Sequence, residues 1–170
     1  MILGAKLGHF SRALIALGSN LESPVSQVRR ALDELDALPE SRLLACSSLY
    51  RSAPVGKINQ PDFINAVVEI ETTLSPHGLL KILLEIEQNH GRVRGLPNDP
   101  RTLDLDMLMY DELVCNEGGL ILPHPRMHQR AFVLIPLMEI SKDFFIPSRG
   151  SVAELLSACS NQRLEREQNL

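Results

Sequence analysis

Apolar positions recur along the chain with two distinct periods. Ala13-Leu14-Ile15-Ala16-Leu17 is a continuous apolar run stopped by Gly18-Ser19-Asn20, and it reads as a buried strand ending in a turn. Val25, Val28, Leu32 and Leu35 then follow at helical spacing, predicting an amphipathic helix over Pro24–Leu38. Ser23 is its expected N-cap, with Pro24 in the first turn. Leu43–Arg51 predicts a second strand and Phe63–Leu74 a third. In the third, Ile64, Ala66, Val68 and Ile70 share one face, while Phe63, Asn65, Val67 and Glu69 share the other. Ser75-Pro76 repeats the cap-plus-proline start. Leu79, Ile82, Leu83 and Ile86 make the stripe of a second helix ending near Gly91. Arg92–Arg101 reads as a loop and Leu103–Tyr110 as a fourth strand.

That order, β-α-β-β-α-β, is the split βαβ arrangement, a sheet with two helices on one face. Leu120-Ile121-Leu122, a helix from about Arg126 and another near Val152–Leu156 form an expected C-terminal extension. At 170 residues the chain fits a single domain, expected over 13–170, behind a short extension at 1–12. The longest apolar runs have five residues, against about 20 for a membrane span. A net charge of −4, no Trp and 4% aromatics argue against a nucleic-acid surface, which needs a basic stripe and stacking rings. Cys46, Cys115 and Cys159 form neither a disulfide framework nor a zinc motif, and free thiols fit a reducing compartment, the cytoplasm. His9, His77 and His90 are expected to be exposed and without a role.

The sharpest chemical feature is Pro100-Arg101-Thr102-Leu103-Asp104-Leu105-Asp106. Asp104 and Asp106 project from one strand face, roughly 6–7 Å apart by strand geometry. That is a spacing able to bracket two Mg²⁺ ions about 3.5–4 Å apart. A solvent-facing acidic strand has the same pattern. Arg92, Arg94 and Arg101 flank the loop leading into this pair, and guanidinium groups match phosphate oxygens bidentately. Metals on one side of a phosphate chain and arginines on the other suit phosphoryl transfer. The competing reading pairs these arginines with Asp99 or Glu87. Phe63 beside Asn65 on a non-core face suits a flat heterocycle with a donor and acceptor edge. Asn20 lies in a βα turn without a Walker pattern. His124 and His128 are four apart without a third ligand, and His124 between prolines reads as a rigidly placed polar contact.

Five ordered blocks carry a family resemblance. They are Ala16-Leu17-Gly18-Ser19-Asn20-Leu21; Ser48-Leu49-Tyr50-Arg51-Ser52 with Pro54-Val55-Gly56; Gln60-Pro61-Asp62-Phe63-Ile64-Asn65-Ala66; Gly91-Arg92-Val93-Arg94 through to Asp106; and Leu122-Pro123-His124-Pro125-Arg126-Met127 with Arg130-Ala131-Phe132. Over Ala13–Ile140 the chain resembles the 6-hydroxymethyl-7,8-dihydropterin pyrophosphokinases of folate biosynthesis. The resemblance implies an α+β, ferredoxin-like βαββαβ fold and transfer of pyrophosphate from ATP to the pterin's hydroxymethyl oxygen, releasing AMP. It implies two Mg²⁺ ions on Asp104 and Asp106, with Arg92 and Arg101 holding the phosphates and assisting transfer. ATP contacts are implied at Glu87, Arg94 and His124, with Arg130 near both substrates. Phe63 and Phe132 match the rings that sandwich the pterin; Asn65, with Ser52 and Val55, matches its hydrogen-bonding edge, and Asn20 lines the same pocket. The chain departs from some members at Leu96-Pro97-Asn98-Asp99, which lacks an aromatic residue, and at Pro125, Leu84 and Gly119. A monomer acting on ATP and 6-hydroxymethyl-7,8-dihydropterin, with no nucleic-acid or membrane partner, is expected. The rival is a non-catalytic ligand-binding or RNA-binding module on the same fold.

Overall fold

Strand β1 (Ser11–Ser19) is an interior strand of an antiparallel sheet, flanked on both sides, as its nearly unbroken apolar sequence suits. The coordinates are those of a computed structural model and describe residues 9–168. The expected extension at 1–12 therefore lies largely outside the described residues, and its last two residues, Ser11 and Arg12, belong to β1. Helix α1 (Pro24–Asp36) follows, then β2 (Ser41–Cys46), β3 (Tyr50–Ser52), β4 (Phe63–Thr72), α2 (Pro76–Asn89) and β5 (Asp104–Tyr110). The tail adds the hairpin β6 (Cys115–Glu117) and β7 (Leu120–Leu122), helix α3 (Ala131–Ile140), the small pair β8 (Phe145–Ile146) and β9 (Gly150–Ser151), α4 (Val152–Ser157) and β10 (Leu164–Arg166).

The sheet order is β10-β3-β4-β1-β5, with β2 also on the β4 edge. The expected second strand is thus two strands on one neighbour. From Cys46 to Tyr50 the chain advances four residues, while the partner positions step back three, from Val68 to Asn65. The surplus residue makes a bulge at 47–49 and ends one strand before the next begins. A second irregularity lies in β5, where Leu14 pairs with Met109 but Ile15 pairs with Met107. Leu108 is the extra residue, and its carbonyl is free to accept from the backbone N–H of His124 at 2.8 Å.

Two apolar clusters cover the sheet. On one face Ile15, Leu17, Ile64, Ala66, Val68 and Ile70 pack with Val28 and Leu35 of α1 and Leu79 and Leu83 of α2. On the other, Leu14, Val67, Leu108 and Met109 pack with Val133, Leu134 and Leu137 of α3. Helices therefore cover both faces. Ser75 caps α2 by accepting from the Gly78 N–H, but Ser23 does not cap α1; it adopts a left-handed conformation (φ 63°) and its side chain makes no capping bond. Val25 and the buried stripe, with Pro24 in the first turn, hold that helix start instead. The helix expected from Arg126 begins at Ala131, after a short 3-10 turn at Met127–Gln129. His90 is buried rather than exposed, with its ring nitrogens 2.6 Å from Gln27 Oε1 and 3.2 Å from Glu34 Oε1, joining the end of α2 to α1.

Candidate active site

The site lies on the α3 face of the sheet, at the end where β1 finishes. The register places Tyr50, Asn65, Gly18 and Asp104 side by side across β3, β4, β1 and β5. Two residues back along β1, Ala16 lies between Val67 and Asp106. Gly18 and Ala16, small residues in the middle strand, leave an open floor. A cavity of about 430 Å³ occupies it. Its walls come from Ser52 to Val55, the loop 92–101, and the segment from His124 to Phe132 at the start of α3.

Alternation along β5 turns Leu105 and Met107 into the core and leaves Asp104 and Asp106 on the cavity floor. Asp104 is bonded by two guanidinium groups, Arg92 Nη1 at 2.5 Å and Arg101 Nη1 at 2.7 Å. Asp106 has looser neighbours, His124 Nε2 at 3.8 Å and Arg130 Nη1 at 3.9 Å. Burial and the charge of Asp104 push the Asp106 carboxyl up to about 6. Burial, Arg130 and Arg126 push His124 down to about 4. The neutral imidazole accepts from the Arg126 N–H at Nδ1 (3.2 Å), so its remaining hydrogen sits on Nε2, facing Asp106.

The aromatic and amide pair of β4 sits at the other end of the floor. Phe63 and Asn65 stand two apart on β4, and the Asn65 amide donates to Ser52 Oγ at 2.8 Å and Tyr50 O at 3.3 Å. With its Nδ2 held by β3, its Oδ1 faces the floor at Gly18. Arg101 lies 5.8 Å from the Phe63 ring centre and Arg130 lies 5.4 Å from that of Phe132, within cation–π range.

Of the residues expected from sequence, Ser52, Val55, Phe63, Asn65, Arg92, Arg94, Arg101, Asp104, Asp106, His124, Arg130 and Phe132 all line this one cavity. Glu87 and Asn20 do not. Glu87 is buried beneath β5, where Oε1 accepts from the Leu105 N–H at 2.7 Å and from Arg92. Burial pushes its carboxyl up to about 7 against the pull of those two donors. It holds the strand and aims the arginine. Asn20 is likewise buried. Its Nδ2 donates to Gln60 Oε1 and Pro61 O, both at 2.9 Å, and its Oδ1 accepts from the Arg101 N–H at 2.9 Å. It ties together the roots of the two loops over the cavity. Arg126, which the sequence reading left without a role, also lines the cavity. Its signal was present, since it lies in the same block as His124.

Residues 14–142 match the model of the family described as 7,8-dihydro-6-hydroxymethylpterin-pyrophosphokinase. The chain is similar to 2-amino-4-hydroxy-6-hydroxymethyldihydropteridine pyrophosphokinase of Pseudomonas aeruginosa, 46% identical over 155 residues that cover 91% of this chain and 96% of that one. Its counterpart in Haemophilus influenzae is 43% identical over 152 residues, covering 89% and 95%. Among solved structures, wild-type Plasmodium falciparum HPPK-DHPS with pteroate is similar in fold. It has a TM-score of 0.70 at 11% identity, over 90% of this chain and 43% of that one.

Proposed function

The chain belongs to the 7,8-dihydro-6-hydroxymethylpterin-pyrophosphokinase family, and from that premise we propose how its cavity carries out the family's reaction. The reaction transfers pyrophosphate from ATP to the hydroxymethyl group of 6-hydroxymethyl-7,8-dihydropterin, giving AMP and the pterin diphosphate in folate biosynthesis. The pterin stacks between Phe63 and Phe132, and its edge pairs with Asn65 and with backbone groups of Ser52 and Val55. Arg92, Arg94, Arg101, Arg130 and His124 take the phosphates.

Asp104 and Asp106 fit Mg²⁺. They are oxygen donors on one strand face, and among the described residues no group of three or more His, Cys, Asp or Glu assembles a closed metal cage. Magnesium commonly completes such a pair with phosphate oxygens and water. Two Mg²⁺ ions held by Asp104 and Asp106 would supply positive charge to offset that of the phosphates. The protein's own groups position and stabilise. The hydroxymethyl oxygen forms a bond to the β-phosphorus and gives up its proton to solvent water. The bond from that phosphorus to the α–β bridging oxygen breaks, and AMP leaves with the electron pair. Arg92 and Arg101, now bonded to Asp104, turn to the phosphates and leave that carboxylate free. His124 Nε2–H adds a neutral donor. Such positioning and charge stabilisation carry most of the rate in phosphoryl transfer.

The observation that carries this reading is the sheet row in which Asn65 and Asp104 flank Gly18. It sets a heterocycle-reading amide and a metal-type carboxylate on one floor. The same strand order supports reading the core as ferredoxin-like with a C-terminal extension. AMP release with ATP, Mg²⁺ and the pterin tests the assignment. Asp106→Ala should keep its melting temperature and lose at least ~10²-fold in turnover, the scale of one preorganised electrostatic contact. Near-normal turnover at saturating Mg²⁺ overturns it.

A further inference from the structure

Glu139, in the last turn of α3, does not line the cavity, yet its carboxylate gathers donors from two other parts of the chain. Ser48 Oγ donates at 2.7 Å, the Ser48 N–H at 3.0 Å, Tyr50 OH at 2.8 Å and Arg166 Nη2 at 3.4 Å. Ser48 lies in the bulge between β2 and β3. Tyr50 opens β3, and Arg166 belongs to β10, which pairs with the outer edge of β3. The Glu167 N–H adds a bond to Leu49 O at 2.8 Å.

This cluster converges on a strand of three residues. The inner edge of β3 supplies Ser52 Oγ and Tyr50 O, the acceptors in the two shorter of the three bonds that turn the Asn65 amide so that its Oδ1 faces the cavity, the third being to Phe63 O at 3.5 Å. A strand that short, following a bulge, has little pairing of its own to fix its register. We propose that Glu139, with Tyr50 and Arg166, is a positioning cluster for pterin recognition. It locks β3 against α3 and β10, and β3 in turn sets the Asn65 amide. The proposal rests on the reading above that Asn65 meets the pterin. The Arg166 side chain is 68% exposed and that of Glu139 31%, so the cluster contributes little to the core and its loss loosens geometry more than it unfolds the chain.

Steady-state kinetics on Glu139→Ala, Glu139→Gln and Asn65→Ala, each against both substrates, test this. Glu139→Ala should raise KM for the pterin about fivefold, the scale of one net hydrogen bond, with KM for ATP unchanged. Glu139→Gln, which keeps an acceptor, should show a smaller rise. Combining Glu139→Ala with Asn65→Ala should be no worse for pterin KM than Asn65→Ala alone, because the first acts through the second. A general loss of stability would lower the active fraction without separating the two KM values. If Asn65→Ala raises pterin KM and Glu139→Ala does not, or if Glu139→Ala moves both KM values together, the positioning role falls and the pocket stands. If Asn65→Ala leaves pterin KM unchanged, the pocket reading falls and the proposal with it. Should Glu139→Ala fail to fold, Arg166→Met carries the same comparison from an exposed position.

Discussion

Gly18 shows how much a single missing side chain does in this site. A Cβ there would lie 3.6 Å from Asn65 Oδ1 and 3.9 Å from Phe63 Cδ1, an ordinary contact that the fold accepts. The same methyl would stand where the edge of a bound pterin must approach. Gly18→Ala should therefore melt close to the parent chain but bind pterin about tenfold or more weakly, the scale of one poorly accommodated methyl. Calorimetry with pterin, and with ATP as the control ligand, checks this; unchanged pterin affinity would place the ligand elsewhere. Phe63 and Asn65 were legible in the sequence because a period of two puts them on one face. Asp104 and Asp106 were legible for the same reason. The pairing of Glu87 with Arg92 was open to the sequence as the competing reading of the arginines, but its bond from the Leu105 amide was not, since that partner reaches it only through packing of α2 on β5. Asn20 bonds to both loops without lining the cavity, and a turn residue's sequence context does not say whether its amide faces a ligand or a neighbouring loop.

At the scale of elements, the long strands and both amphipathic helices followed from hydrophobic period, and their bounds moved by only a few residues. The division of the expected second strand into β2 and β3 was hidden, because a bulge is a mismatch with a partner strand. β10 was hidden too. Leu164-Glu165-Arg166 has no apolar alternation to announce it, and it is a strand only because β3 offers an open edge. The cluster joining these pieces has a pH signature. Burial would push the Glu139 carboxyl up, but Ser48, Tyr50 and Arg166 together hold it below its ordinary value of 4.5. A carboxylate lowered on folding contributes stability above its unfolded value, and that contribution is lost as pH falls through the folded one. Glu139→Gln has no such charge to lose. Its melting temperature should fall less than the parent's between neutral pH and about pH 4. Equal falls in both proteins would show that Glu139 does not carry this pH dependence.

Across the whole molecule, the two loops over the cavity are rooted on the buried Asn20 and are joined to each other beyond it. Lys57 pairs with Asp99, and Gln60 Nε2 donates to Asn98 O at 2.9 Å. Val55, Ile58, Val93 and Leu96 are nonetheless exposed on these loops. Amides at 56–61 and 92–101 should exchange quickly in the protein alone and slow markedly when ATP and pterin are added together, as closure excludes water. Hydrogen exchange that is equally slow with and without the substrates would show that the loops are already fixed. Charge is distributed unevenly. The chain carries a net −4, yet Arg92, Arg94, Arg101, Arg126 and Arg130 all line one cavity around two carboxylates. Outside the cavity the remaining acidic side chains outnumber the basic ones. Five guanidinium groups clustered there should focus the field at the mouth and draw in an anionic substrate before contact. Encounter, not only binding, is then set by this charge pattern, and added salt slows the arrival of the triphosphate more than its departure.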